Sequence, residues 1–247
     1  QCNLPAVDSP TDHEIEGHGL LVADGLGGQP AGEAASRLAV NLLFNLVVDT
    51  PDWVVRLDDP QYSAMVEQRT FNRFQEVSEA MTAEADTDAE LSGFGTTMTL
   101  AWGIGEYWFV AHIGDSRAYL LRDGKLQQLT HDHTVAQEMV DAGLIDEQGA
   151  EVHPTRHRLT RLLGDEADDV KPDIQLLKLQ DADCLLLCSD GLTEMVGRDA
   201  ISKILATGQP ARDCCQQLVD AALAAGGKDN VTVIVGRIGL SRAKPKN

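Results

Sequence analysis

The sequence is short of positive charge and of aromatic rings. Lys and Arg number 20 against 39 Asp and Glu, a formal net charge of −19 in 247 residues, and aromatic residues make up 4%. With so few cations no basic stripe can neutralise a phosphate backbone, which argues against nucleic acid as a partner and equally against an anionic membrane surface. No apolar run approaches the ~20 residues that span a bilayer. CxxC and His-rich zinc patterns are missing, and the five cysteines (Cys2, Cys184, Cys188, Cys214, Cys215) form no disulfide framework. A reducing cytoplasm is the expected location. Hydrophobic content of 43% is ample for a core, which must rest on Leu, Val, Ala and Ile.

Short apolar runs read as strands at Gly19–Ala23, Gly95–Ile104, Tyr107–Ile113, Arg117–Arg122, Asp173–Leu179, Cys184–Ser189 and Val231–Ile238. The Asp123-Gly124 pair predicts a tight hairpin into Lys125–Thr130. Helical spacing marks Glu33–Val48, about Pro60–Ala85 with Met65, Phe71, Phe74, Val77 and Met81 as its apolar positions, Val135–Ala142, Ala200–Ala206 and Ala211–Ala225. Strands mostly follow strands and helices come in pairs, which points to an α+β fold with antiparallel sheets and helices layered outside. One domain is expected over residues 1–239, with an irregular excursion at about 131–169 and a polar tail at 240–247.

Four acidic clusters recur at the ends of the apolar runs: VADGLGG (Val22–Gly28), HIGDSRAYL (His112–Leu120), CSDGLTE (Cys188–Glu194) and GKDNVTVIV (Gly227–Val235). A carboxylate at a strand end, with small neighbours that let the backbone come close, suits a hard cation with oxygen ligands. Asp24 with the Gly25 carbonyl, Asp115, Asp190 and Asp229 are thus candidate ligands that the fold would gather around Mg²⁺ or Mn²⁺, the outline of a two-metal hydrolase. Each has a plainer reading alone: Asp24 as a corner cap, Asp115 as a hairpin residue. The glycine-rich DGLGGQPAGE is no nucleotide loop, because Pro30 stands where GxGxxG ends and no GK[ST] follows. Asp86–Gly93 has Leu91 where a calcium loop demands glycine and reads as a solvated acidic connection. His131 and His133, flanking Asp132, read as a surface or capping pair. Arg156, Arg158 and Arg161 form either an exposed helix face or a contact for a substrate's phosphate or acidic residues.

Taken in order, VADGLGG, GTT (Gly95–Thr97), HIGDSRAYL, LTHDHT, SDGLTE and KDNVTVIV resemble the metal-dependent serine/threonine protein phosphatases of type 2C in their compact bacterial form, from about Gly19 to Val235. The resemblance implies an α/β/β/α sandwich, two antiparallel sheets with a helix pair outside each, and metals in a cleft at one end. It implies catalytic aspartates Asp24, Asp190 and Asp229: Asp24 bridges two ions beside the Gly25 carbonyl, and Asp190 and Asp229 complete the second ion's ligands. Asp115 with Asp190 would hold a third, weaker ion. His131–Asp169 would be a flap beside the cleft, with Arg156, Arg158 and Arg161 facing substrate. The implied activity is hydrolysis of phosphoserine and phosphothreonine, by a metal-activated water, in proteins phosphorylated by a serine/threonine kinase, with the enzyme a monomer. The alternative is a pseudophosphatase of the same fold, a scaffold or regulatory binding protein. Two departures stand out. Leu26 occupies the place of the histidine in the DGHGG version of the first motif, and nothing in QCNLPAVDSPTDHEIEGHG matches the family's R-x-x-N-[EQ]-D segment. The expectation is that an arginine and an acidic ligand lie upstream of Gln1.

Overall fold

The computed structural model describes residues 2–3, 16–26, 29–48, 60–87, 93–164 and 170–240. The expectations for most of the opening segment, for the acidic connection at 88–92, for the excursion's end at 165–169 and for the tail from 241 lie outside the described residues. Along the chain run β1 (Cys2–Asn3), β2 (Glu16–Val22), β3 (Gly25–Leu26), α1 (Gln29–Val48), α2 (Pro60–Thr87), β4 (Gly95–Thr96), β5 (Met98–Ile104) and β6 (Tyr107–Ile113). There follow β7 (Arg117–Arg122), β8 (Lys125–Gln128), α3 (Val135–Asp141), α4 (Glu147–Glu151), β9 (Asp173–Lys178) and β10 (Cys184–Cys188). The chain then forms α5 (Asp190–Thr193), α6 (Arg198–Leu205), α7 (Ala211–Ala224) and β11 (Val233–Arg237).

The strands form sheets of order β1-β2-β5-β6-β9 and β11-β10-β7-β8, with β3 and β4 as a separate short pair, and every pairing is antiparallel. The α+β expectation with antiparallel sheets is met. Two local expectations are corrected. The single strand over Gly95–Ile104 is broken at Thr97, because its first residues pair with β3 and the rest with β2 and β6. The turn holding Asp115 is no hairpin, since β6 and β7 lie in different sheets and Gly114–Ser116 carries the chain across. The Asp123-Gly124 hairpin is present, with φ of 51° and 72° at its two residues, as a type I′ turn needs.

Period-two alternation explains how the strands distribute their side chains. In β10, Cys184, Leu186 and Cys188 join a core with α5, α6 and α7, while Leu185 and Leu187 join Val22, Ala101, Trp108, Val110, Ala118 and Leu120 from strands of both large sheets. A further core unites Ala111 and Ile113 of β6 with the two long helices. On α1 the buried residues Ala31, Ala35, Ala39 and Leu43 recur every fourth position, small enough to let the helix sit close. On α2 the buried row is Val66, Thr70, Phe74, Val77 and Met81; Met65 and Phe71, expected in that row, are only half-buried. The excursion is more regular than expected: besides α3 it carries α4, with Thr134 and Asp146 capping the two helices. The bridge Thr134↔Leu159 closes it on itself, and Thr96↔Leu163 ties it back to β4.

At the far end of β7 a buried carboxylate is paired with an arginine. Asp183, 2% exposed at its side chain, accepts from Arg122 Nε at 2.9 Å and Nη2 at 2.5 Å, and from the Gln180 amide at 2.7 Å. Removing one partner of such a pair leaves the other without compensation. Asp183→Ala is expected to lower unfolding free energy by about 3 kcal/mol, read from urea melts with an unchanged m value; a loss within the error of the melts would show that the pair contributes little.

Candidate metal centre

The turn after β2, the crossing after β6, the start of α5 and the segment entering β11 open on one cavity of about 350 Å³. Its walls include Asp24, Gly25, Asp115, Asp190 and Asp229, the full set of candidate ligands. The antiparallel register of β10 and β11 sets Cys188 opposite Val233, so the end of one strand lies beside the start of the other and Asp190 comes near Asp229. Also on the walls are Leu26, Thr97, Arg156, His157, Gly191, Glu194, Met195, Lys228 and Asn230.

Backbone contacts fix each aspartate's loop. The Asp24 N–H donates to Thr97 Oγ1 at 3.1 Å, and its carbonyl accepts from the Thr97 N–H at 2.8 Å and from Thr96 Oγ1 at 2.9 Å. Thr97 Oγ1 lies 2.8 Å from Ser116 Oγ, and Thr99 Oγ1 donates to the Ser116 carbonyl at 3.0 Å. A buried hydroxyl chain thus joins the loop of Asp24 to that of Asp115, which gives the GTT run and the serine of GDSR a physical role. A Cβ on Gly25 would stand 1.8 Å from the Gly32 carbonyl oxygen, so only glycine lets α1 approach this corner. At Asp190 the same device recurs. A Cβ on Gly191 would meet the Asn230 carbonyl oxygen at 2.2 Å, Ser189 Oγ donates to that carbonyl at 3.2 Å, and it accepts from the Thr232 N–H at 3.0 Å.

The carboxylates disturb one another. Burial, then the charges of Asp190 and Asp229, push the Asp24 carboxyl up to about 7. Burial, then Asp190, Asp132 and Asp24, push Asp115 up to about 8. Asp190 is raised by burial and by Asp229, with His157 pulling the other way. Its Oδ1 is buried with no hydrogen-bond partner. Such an oxygen is expensive unless something positive faces it. An all-oxygen donor set, mutual repulsion and one orphaned carboxylate oxygen fit a small divalent cation. Among the described residues, no three His, Cys, Asp or Glu side chains stand at a spacing that already amounts to a finished cage. The centre is a cluster of repelling carboxylates open on the cavity.

The cations are divided. Arg156 Nη2 lies 3.4 Å from Glu194 Oε2 on the cavity wall, and His157 reaches Asp190 at 3.8 Å and Glu194 at 3.7 Å. Arg158 is exposed and Arg161 lies against Asp173 Oδ1 and His133 Nε2, both at 3.2 Å; neither belongs to the cavity lining. The surface reading of the histidine pair holds for His131, which meets Asp141 at 2.8 Å, but His133 is buried. Glu194 and Lys228 are cavity residues outside the set expected from sequence, and His157 enters the lining as part of the basic group around Arg156. Their signals were position alone: Glu194 four residues after Asp190 on one helical turn, Lys228 directly before Asp229, and His157 within the basic group.

The pattern that defines the family Protein phosphatase 2C matches residues 5–226. The serine/threonine protein phosphatase PstP of Mycobacterium tuberculosis is 37% identical over 221 residues, which are 89% of this chain and 40% of that relative. The chain thus spans less than half the length of this relative. The serine/threonine phosphatase stp of Listeria welshimeri is 35% identical over 216 residues, 87% of this chain and 82% of that one. Among solved structures, the catalytic domain of the serine threonine protein phosphatase PstP in complex with 2 manganese ions is 31% identical, with a TM-score of 0.73, and 95% of this chain covers 94% of that one. The strand-end aspartates meet in one cavity, and pattern and relatives span most of the sequence around them: the chain belongs to the protein phosphatase 2C family.

Proposed function

We propose that this chain is a phosphoprotein phosphatase that depends on Mn²⁺ or Mg²⁺ and hydrolyses phosphoserine and phosphothreonine on proteins modified by serine/threonine kinases. The observation that carries the reading is the meeting of Asp24, Asp115, Asp190 and Asp229 on one cavity, with an Asp190 oxygen buried and unpartnered. A scaffold has no use for so costly a cluster, which favours an enzyme over a pseudophosphatase. Family membership and the relative solved with manganese support the choice of ion. We assign two ions to Asp24, the Gly25 carbonyl, Asp190 and Asp229, and a third, weaker one to Asp115 with Asp190. Bound there, such ions supply an activated water and offset the charge developing on the phosphoryl oxygens.

The chain's own residues set the geometry. The Thr97 and Ser116 hydroxyls hold the backbones of Asp24 and Asp115. Arg156 and Lys228 are cations on the wall, suited to a phosphate or an acidic side chain. Leu26 carries no proton, so the leaving oxygen takes one from water or from another group. We assign residues 131–169 to a flap that sets substrate choice, with Arg156 and Arg158 as its substrate contacts; the engagement of Arg161 by Asp173 and His133 favours a bracing role over the substrate contact expected for it. The three apolar cores support an α/β/β/α sandwich forming one phosphatase domain over residues 1–239, which we take to act as a monomer. Free thiols at Cys184, Cys188, Cys214 and Cys215 favour the cytoplasm. Among the described residues no helix is long and apolar enough to cross a membrane.

Asp190→Asn keeps size but removes charge from the cluster. Turnover of a phosphothreonine peptide at saturating Mn²⁺ is expected to fall by about 100-fold or more, with the circular dichroism spectrum unchanged; near-normal turnover would remove Asp190 from the ligand set.

The raised carboxyls also set a pH dependence. Asp24 and Asp115 move from an ordinary 3.8 to about 7 and about 8 in the folded chain, so between those values the folded state holds more protons than the unfolded one. Without metal, stability from these groups is greatest below the ordinary carboxyl range and is lost as pH rises toward 8. Thermal melts in chelator should therefore show Tm falling from pH 5.5 to 8, and the gain in Tm on adding Mn²⁺ growing over the same range. A flat or opposite trend would contradict the cluster's electrostatics.

Arg156→Ala should raise KM for the phosphopeptide by roughly tenfold and leave hydrolysis of a small aryl phosphate little changed. Equal loss on both substrates would move Arg156 into the reacting centre.

A further inference from the structure

We infer that His133 is a positioning residue that sets Asp115 through the peptide of Gly114, with Arg161 and Asp173 holding the imidazole for that task. The kinetic part of this inference rests on the phosphatase reading; the geometric part does not.

Gly114 immediately precedes Asp115 and is held on both sides. Its N–H donates to His133 Nδ1 at 3.1 Å, and its carbonyl accepts from the His133 backbone N–H at 2.7 Å and from His112 Nε2 at 3.0 Å. Its φ is +107°, and a Cβ there would stand 2.5 Å from Thr97 Cβ and Cγ2, so no residue but glycine fits. The His133 ring is 2% exposed and lies 5.0 Å from the His112 ring.

The hydrogen bonds assign the tautomers. A backbone N–H can only donate, so His133 Nδ1 is the bare acceptor and the proton sits on Nε2, which faces Asp173 Oδ2 at 3.2 Å. Arg161 Nη1 lies 3.2 Å from both Asp173 Oδ1 and His133 Nε2; with Nε2 protonated, the guanidinium and the ring both donate to the Asp173 carboxylate, which holds them side by side. A carbonyl can only accept, so His112 carries its proton on Nε2; its bare Nδ1 lies 2.9 Å from Thr99 Oγ1, whose one proton is shared between that nitrogen and the Ser116 carbonyl. Burial, with the neighbouring His133 ring, keeps His112 neutral by driving it down to about 3. The His133 main chain is itself joined to the excursion, its carbonyl accepting from the Thr160 N–H at 2.9 Å. A continuous path therefore runs from Arg161 and Asp173 through one imidazole to the residue beside Asp115, and Thr160 holds the His133 main chain beside it. A histidine kept only to fill the core would not need its Nδ1 on this amide.

Two substitutions separate positioning from packing. The Oδ1 of asparagine falls near the place of Nδ1 and can accept from the Gly114 N–H; the Oε1 of glutamine reaches toward the place of Nε2 and cannot. On a phosphothreonine peptide with Mn²⁺, His133→Gln is expected to lower kcat by about tenfold or more with little change in KM, whereas His133→Asn restores kcat to within about threefold of the parent. Calorimetric Mn²⁺ titrations should show the weakest site lost in His133→Gln and kept in His133→Asn. On the parent chain, long-range ¹H–¹⁵N spectra of the histidine rings should show His133 with a bare Nδ1 and a protonated Nε2, a measurement that needs no variant to fold. Equal impairment of both variants, impairment of neither, or a proton on Nδ1 would overturn the inference. A parent chain inactive on every phosphopeptide whose variants still differ in Mn²⁺ binding as stated would support the positioning role and overturn the phosphatase reading.

Discussion

Asp24, Asp115 and Asp190 share a cavity that strips them of water, and each is driven toward its protonated form by that burial first and by its neighbours second. Left to itself such a group would spread apart. The surrounding backbone prevents this, because each loop is locked where a side chain has been dispensed with: Gly25 against Gly32, Gly191 against Asn230, Gly114 against Thr97. The repulsion is thus resisted by main-chain contacts rather than by compensating cations, and the cluster stays ready for a cation from outside. Two firmly paired arginines, Arg122 on Asp183 and Arg117 on Asp132, lie outside the cavity lining.

Arg117 shows how one short motif serves two ends. Its guanidinium grips Asp132 through Nε at 2.9 Å and Nη2 at 2.6 Å, and so ties β7 to the segment that leads to His133. In HIGDSRAYL, then, the glycine gives the turn, the aspartate faces the cavity, the serine joins the hydroxyl chain and the arginine anchors the excursion. A run of residues that looks like one site in sequence is four separate structural functions in space.

Much of this was legible beforehand. The apolar runs bounded by glycine and aspartate marked the large-sheet strands β6, β7, β9 and β10 nearly to their ends, since alternation is a local property of the backbone. The meeting of Asp190 with Asp229 depends on the pairing of β10 with β11, which the sequence did not name. What could not be read depended on partners distant along the chain. The turn at Asp115 has the composition of a hairpin, and only the company of β7 in the second sheet reveals a crossing. Thr97 breaks a strand because β3 claims the residues before it. Arg156 and Arg161 carry the same charge five positions apart, yet one faces the cavity and the other is held by Asp173, a choice made by a strand that the basic group does not contain.

The crossing at Gly114–Ser116 is also the shorter of the two direct links between the large sheets, the other being the stretch between β9 and β10. It has no slack, with Gly114 clamped on both faces and Ser116 bonded through side chain and carbonyl to Thr97 and Thr99 of the opposite sheet. Any displacement of β6 relative to β7 must be taken up across these three residues, and Asp115 is the middle one. The Asp115 carboxylate is therefore placed by both large sheets at once, with β6 ending two residues before it and β7 starting two residues after it.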